Sequence, residues 1–108
     1  MDIKVSEIWK AMIGAATSSL GKDWSKVRVY AEPELKRLSK TLVDIGKQTV
    51  SGEITKGEAK ALLKIHRNAT QNVLLAAEGM SIVAVEKAVN AAMAAVKAPI
   101  TAAFGGIL

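Results

Sequence analysis

The chain has 108 residues, of which 50% are hydrophobic but only 4% aromatic, and its formal net charge is +5. This length predicts one domain, and the Leu-, Val- and Ala-rich composition with only two prolines favours an all-α fold. The absence of cysteine excludes disulfide scaffolds, thiolate metal sites and cysteine nucleophiles.

The first predicted helix occupies residues 1–20. Its apolar positions recur at helical spacing and are Ile8, Met12, Ala15 and Ala16. Gly21 is a suitable residue to end this helix, because glycine readily adopts the backbone conformation of a helix C-terminus. Asp23 is predicted to N-cap the helix that follows.

The second predicted helix spans residues 23–51 and is amphipathic. Its apolar positions step by three and four residues and are Trp24, Val27, Ala31, Leu35, Leu38, Leu42 and Ile45. Pro33 lies within this segment, and because proline removes a helical hydrogen bond we expect a kink or a break there. In an alternative interpretation, the alternation of Val27, Val29 and Ala31 indicates a short strand.

The polar side of the second predicted helix is basic. Six side chains fall within about a third of its circumference. They are Lys22, Lys26, Lys36, Arg37, Lys40 and Lys47. Such a face is typical of helices that lie on anionic membranes or contact phosphates, although a solvated outer face needs no ligand. The shortage of aromatic residues weakens a nucleic-acid interpretation.

The third predicted helix spans residues 55–98. Thr55 and Glu58 match a capping box at its start, and only Gly79 interrupts the helical pattern before Pro99. The sequence leaves open whether Gly79 kinks or breaks this helix. Unbroken, it would extend about 65 Å. Helices this long are unusual in small globular domains, so the pattern predicts an extended bundle or an assembly.

The C-terminal third of the chain, residues 73–108, is apolar on nearly all sides. It has only four charged residues, Glu78, Glu86, Lys87 and Lys97. A helix of this kind must be buried in protein or in lipid, and a chain this short can hardly bury it alone. The apolar tail, residues 99–108, is predicted to form a short helical turn that ends at Gly105.

Small residues in this segment recur every four positions, a spacing that lets two helices approach closely in water or in a membrane. We predict an oligomer or membrane interface that consists of Val83, Ala84, Ala88, Ala91, Ala92, Ala95 and Val96.

The third predicted helix also has two polar stripes. One holds Lys60, Lys64, Arg67, Asn68 and Gln71, and the other, past Gly79, holds Glu86, Asn90 and Lys97. The second, narrow stripe predicts a buried bundle helix with one hydrated edge.

No catalytic, metal-binding or nucleotide-binding motif is recognisable. His66 is the only histidine and shares a helical face with Leu62 and Val73, which predicts a core or interface residue. A nucleophile elbow and a phosphate-binding loop are both missing. We therefore predict a non-enzymatic protein with no cofactor, no metal and no small-molecule substrate.

The expected fold is all-α, with three helices that include a long antiparallel hairpin of the second and third, assembling into a larger bundle. The predicted function is that of a structural or interaction protein that forms a homo-oligomer through its C-terminal helix. One alternative is a membrane-associated or membrane-inserting protein, by analogy with small phage and secretion-system proteins. Another is a nucleic-acid-associated assembly protein.

The expected location is cytoplasmic or membrane-peripheral. Asp2 and Glu7 precede any apolar run, unlike the residues of a secretory signal. No stretch reaches the roughly 18 uncharged apolar residues of a membrane span. The closest candidate, residues 88–108, is interrupted by Asn90, Lys97 and Pro99.

Overall fold

A computed structural model describes residues 3–108, and all of its regular elements are helical. The helices are α1 (Val5–Leu20), α2 (Trp24–Val50), α3 (Lys56–Leu75) and α4 (Ile82–Phe104), with a 3₁₀ turn at Gly21–Asp23. The prediction of an all-α fold is confirmed. Met1 and Asp2, where the first helix was predicted to begin, lie outside the described residues.

The junction between α1 and α2 is a tight helical turn. Gly21 ends α1 as predicted, with a positive φ of 56° and its N–H donated to the Thr17 carbonyl. The prediction that Asp23 caps α2 is wrong, because its backbone is already helical whereas a capping residue is extended. The Asp23 carboxylate instead pairs with Lys26, with 3.1 Å between Oδ1 and Nζ.

Helix α2 buries the predicted apolar stripe. Trp24 is half-buried, and the six other members from Val27 to Ile45 are buried in the core. The alternative of a strand at 27–31 is wrong, since these residues form regular helix. Their spacing puts Val27 and Ala31 on one side of the helix, which is the side that the neighbouring helices cover.

Both prolines lie inside continuous helices. Pro33 is exposed within α2, and the carbonyl that loses its partner belongs to Val29, whose side chain is 79% exposed. Pro99 is likewise exposed within α4, one turn after the exposed Ala95. Because water can bond the freed carbonyls on these outer faces, neither proline breaks its helix. The predicted helix end at residue 98 is therefore wrong, and α4 continues to Phe104.

The connection between α2 and α3 follows the predicted boundary. Thr55 N-caps α3, with its Oγ1 accepting from the Glu58 N–H at 3.1 Å, and the Glu58 carboxylate accepts from the Thr55 N–H at 3.0 Å. The capping box is confirmed. Farther from the connection, Thr70 Oγ1 donates to Glu34 Oε1 at 3.1 Å. Glu34 precedes the connection by about as many residues as Thr70 follows it. Contacts between residues at equal distances from a connection are those of two antiparallel helices.

The long helix predicted over residues 55–98 is divided near Gly79, where the sequence left continuity open. The chain leaves helical conformation at residues 76–81, where Gly79 has a φ of +81°. Ser81 then caps α4, with its Oγ accepting from the Ala84 N–H at 3.1 Å. The reversal allows α4 to bury a face within the chain, and the described molecule is only 42 Å in its longest dimension.

The hydrophobic core contains residues from all four helices, and α1 packs most extensively against α4. The buried residues of α4 are Val85, Ala88, Val89, Ala92, Val96 and Ile100. The chain therefore buries one face of its apolar helix without a partner and leaves other apolar positions of the helix exposed, such as Val83 and Ala95. No buried side-chain nitrogen or oxygen lacks a hydrogen bond in residues 3–108.

Helix α2 meets the end of α4 at a glycine. Gly46 is buried, and the aromatic ring of Phe104 lies directly over it. A Cβ atom at position 46 would overlap three carbons of this ring. The absence of a side chain at Gly46 therefore makes room for the only phenylalanine of the chain.

Candidate functional site

The predicted interface residues of α4 fall on two different sides of the helix. Ala88, Ala92 and Val96 are completely buried inside the single chain, so in this fold they form core and not an interface. Val83 is 61% exposed and Ala95 is also exposed. The remaining two, Ala84 and Ala91, are half-buried.

A strip of small residues runs along the outside of α4. We define the α4 outer strip as Ala84, Ala91, Ala95, Ala98 and Ala102, which helical geometry places on one side. All five residues are exposed or half-buried. Within Ile82–Phe104, all of which is described, Glu86 and Lys97 lie away from the strip. The exposed Lys87, three residues after Ala84 and four before Ala91, lies at its edge.

The predicted basic face of α2 lies on the molecular surface. All six members, Lys22, Lys26, Lys36, Arg37, Lys40 and Lys47, are exposed. Three of them have partners. Lys26 pairs with Asp23, Lys36 places its ammonium 4.5 Å from the centre of the Trp9 ring, and Arg37 pairs with Glu34. The positive charge of this face is therefore partly compensated by its own surroundings.

The carboxylate of Glu34 links α2 to α3. Arg37 donates from Nη2 to Glu34 Oε1 at 2.5 Å, and the same oxygen accepts from the buried Thr70 hydroxyl. The hydrogen bond from Arg37 is the main cause that lowers the pKa of Glu34, and it outweighs the partial burial that raises it. The charge of Arg37, the Thr70 hydroxyl and the charge of His66 lower this pKa further. The cluster is therefore a structural link between two helices.

A groove of about 710 Å³ lies between α3 and α4. The wall that α3 provides consists of Lys60, Lys64, Arg67, Asn68 and Gln71, the polar stripe seen in the sequence. Opposite them, α4 contributes Glu86, Asn90, Met93, Ala94 and Lys97. The two polar stripes predicted on a single helix thus face each other across a groove, because the chain reverses at residues 76–81.

The groove combines an apolar lining with positive walls. Its apolar lining includes Leu63, Met93, Ile107 and Leu108. Leu63 and Ile107 are buried, whereas Met93 and Leu108 are half-buried. The walls have four cationic side chains and one carboxylate, that of Glu86. An uncompensated excess of positive charge beside apolar surface suits an amphipathic anionic ligand.

Outside the groove, the described residues show no cluster of side chains suited to catalysis or metal binding. Over residues 3–108, no three His, Asp or Glu side chains are arranged to hold a metal ion. His66 is half-buried on α3, on the side of the Glu34 cluster. None of the helices between residues 3 and 108 combines the length and the apolarity needed to cross a membrane.

Comparison with known proteins adds no assignment. No protein-family description, no curated protein and no solved structure matches the chain.

Sequence reasoning missed the groove and the Glu34 link. Both depend on pairs of residues far apart in the chain, such as Arg67 with Asn90 and Glu34 with Thr70. The signal that could have located the groove is the succession of Gly79 and Ser81, a helix-ending residue followed by an N-cap. The Glu34 link has no comparable local signal.

Proposed function

We propose that the protein is a non-enzymatic helical interaction protein that self-associates through the α4 outer strip. The observation that supports this proposal is the small-residue surface, with Lys87 at its edge, that is left on α4 after its core face is buried. Burial of such surface between two copies removes apolar area from water.

The distribution of charge favours this side of the molecule for contact between identical chains. Residues 73–108 contain two acidic and two basic side chains, so their net charge is zero. The excess of +5 belongs to residues 1–72, with 13 basic and 8 acidic side chains. Two copies that meet through α4 therefore avoid the repulsion that would oppose contact between their basic regions. Alanine at the contact also lets the two helices approach closely.

Light scattering coupled to size-exclusion chromatography, in detergent-free buffer over a concentration series, tests the proposal. The wild-type chain is expected to exceed its monomer mass of 11.4 kDa. The substitution Ala95→Glu should return it to monomer mass with its helicity unchanged. Ala94→Glu is the matched control, since Ala94 is equally an exposed alanine of α4 but lines the groove. A wild type that remains monomeric at all concentrations would disprove self-association.

The choice of Ala95 follows from burial. A Glu at Ala88 or Ala92 would place a charge in the core of the single chain, where neither residue is accessible to solvent. Such a variant would unfold whether or not the protein self-associates, because an unpaired buried charge is strongly destabilising. Loss of assembly in those variants would therefore carry no information about an interface.

A second candidate function is peripheral binding to anionic membranes through the basic face of α2. It is favoured by the exposure of all six basic side chains on one side of the helix. Co-flotation with phosphatidylserine-containing vesicles, compared with phosphatidylcholine vesicles, tests it. The double variant Lys40→Glu, Lys47→Glu should lose binding, whereas Lys60→Glu, Lys64→Glu should retain it. Equal loss in both variants would indicate a non-specific response to net charge.

A further inference from the structure

We propose that the groove between α3 and α4 binds an acidic amphipathic helix of a partner protein. This inference is independent of self-association, because the groove lies on a different side of α4 from the outer strip. Lys97 and Glu86 line the groove, whereas Ala95 and Ala98 belong to the strip.

The length of the groove matches a short helix. Its walls extend from Lys60 to Gln71 on α3 and from Glu86 to Lys97 on α4, which is eleven residue steps on each helix. At the helical rise per residue, each wall is about 16 Å long, or about three turns. A helix of roughly that length presents apolar side chains at positions i, i+3 or i+4, and i+7 to a groove.

The lining offers what such a helix needs. Leu63, Met93 and Leu108 provide apolar surface between the walls for the anchoring side chains. Asn68 and Asn90 provide amide groups that can donate to and accept from polar side chains beside the anchors. A partner helix with one apolar face and polar flanks therefore finds a match for both parts of its surface.

The positive charges of the groove favour a partner helix with acidic residues beside its apolar face. Lys60, Lys64 and Arg67 follow one another along α3 at intervals of four and three residues, and Lys97 lies on α4. None of these four takes part in an ion pair within residues 3–108. Among the lining side chains, these four cations outnumber the single carboxylate of Glu86 by three, and they are spread over successive helical turns. Asp and Glu residues on a partner helix would complement this distribution.

Other occupants fit less well. A second copy of this chain would bring its own positive groove and a net charge of +5. A fatty acid has one carboxylate and could pair with cations at one end only, whereas the cations here are spaced along a wall. Nucleic acid would find no aromatic side chain on which to stack among the lining residues, all of which lie in the described part of the chain.

Selection of a displayed library of helical peptides against the full chain tests the proposal. Enriched sequences are expected to have apolar residues at i, i+4 and i+7 with Asp or Glu beside them. Failure to enrich any peptide, or enrichment of basic or uncharged ones, would overturn the proposal. If no peptide is enriched, saturable binding of oleate that is lost when groove residues are substituted would also overturn the proposal.

Binding of one enriched, fluorescently labelled peptide is then measured by anisotropy. The double variant Lys60→Glu, Lys64→Glu should raise the Kd by about tenfold or more, because two attractions become repulsions. The control Lys40→Glu, Lys47→Glu changes the net charge by the same amount on α2, and it should leave the Kd within about threefold of the wild-type value. Ala94→Glu should also weaken binding. Equal weakening by the groove and control variants would refute a specific site. Circular dichroism of each variant verifies that the fold is retained.

Discussion

The contact between Gly46 and Phe104 predicts an unusual response to an ordinary substitution. Gly→Ala inside a helix normally stabilises, because alanine has the higher helix propensity. At Gly46 the added methyl group would overlap the Cγ, Cδ2 and Cε2 atoms of the Phe104 ring. Cγ is close to the backbone, so relief requires movement of the whole side chain. We therefore expect Gly46→Ala to destabilise the protein.

Two opposing contributions determine the magnitude. The gain in helix propensity is about 1 kcal/mol, and overpacking of a filled site costs about 1–3 kcal/mol. Gly14→Ala provides the matched control, since Gly14 lies in the middle of α1, is exposed and has no packing partner within 4 Å of an added Cβ atom. It should stabilise by about 0.5–1 kcal/mol. The difference between the two variants is then about 1–3 kcal/mol, which corresponds to the steric cost alone.

Urea denaturation followed by far-ultraviolet circular dichroism measures this difference, with linear extrapolation to water. A thermal melt should show the same order, with roughly 4–8 °C between the variants for each kcal/mol. Adding Phe104→Leu to Gly46→Ala should recover part of the loss, since it removes ring atoms from the site of overlap. If Gly46→Ala stabilised as much as Gly14→Ala does, the packing argument would be refuted.

Three further predictions concern single residues. Glu34→Gln should lower the urea midpoint at neutral pH. This deficit should shrink as the pH falls from about 4.5 through the lowered folded-state pKa of Glu34, because the carboxylate stabilises the fold only while it is ionised. Glu32→Gln is its exposed control, and a pH-independent deficit would contradict the prediction. Gly79→Ala should cost about 1–2 kcal/mol in thermal melts, since it forces alanine to a φ of +81°, whereas Gly57→Ala, with a negative φ, should not. Thr55→Ala should lower stability by about 0.5–2 kcal/mol through loss of the cap, and an unchanged urea midpoint would show that the capping box is dispensable.

The helices whose signals are local could be predicted from the sequence. The apolar stripe from Val27 to Ile45 and the capping box at Thr55 each depend on residues within one or two turns of each other. Gly21 ends α1 for the same reason. Such features are decided by backbone conformation and by the periodicity of one helix, so neighbouring elements do not alter them.

The reversal at residues 76–81 could not be predicted with the same certainty. Alanine and other good helix formers precede Gly79, and local propensity therefore favours continuation. What overrides it is the burial of α4 against α1, which a single-helix pattern does not contain. The location of the two prolines on exposed sides of their helices could not be predicted for a similar reason, since the exposure of Val29 and Ala95 depends on how the helices pack.

The candidate sites were predictable only in part. Exposure of the basic face of α2 agrees with its amphipathic pattern, whereas three of the seven predicted interface residues of α4 belong to the core. Alanine spacing indicates close packing without saying whether the packed neighbour belongs to the same chain. The groove required the reversal before its two walls could be brought together.

The close packing of α1 on α4 has a consequence for biosynthesis. Ile8, Met12 and Ala16 are buried in the finished core, yet α4 begins about 60 residues after α1 ends. At ordinary rates of translation, roughly 3–12 s separate the emergence of these two helices from the ribosome. During that interval α1 can pack on α2 but lacks its most extensive neighbour. The nascent chain thus displays an apolar helical face that is accessible to chaperones until the last helix arrives.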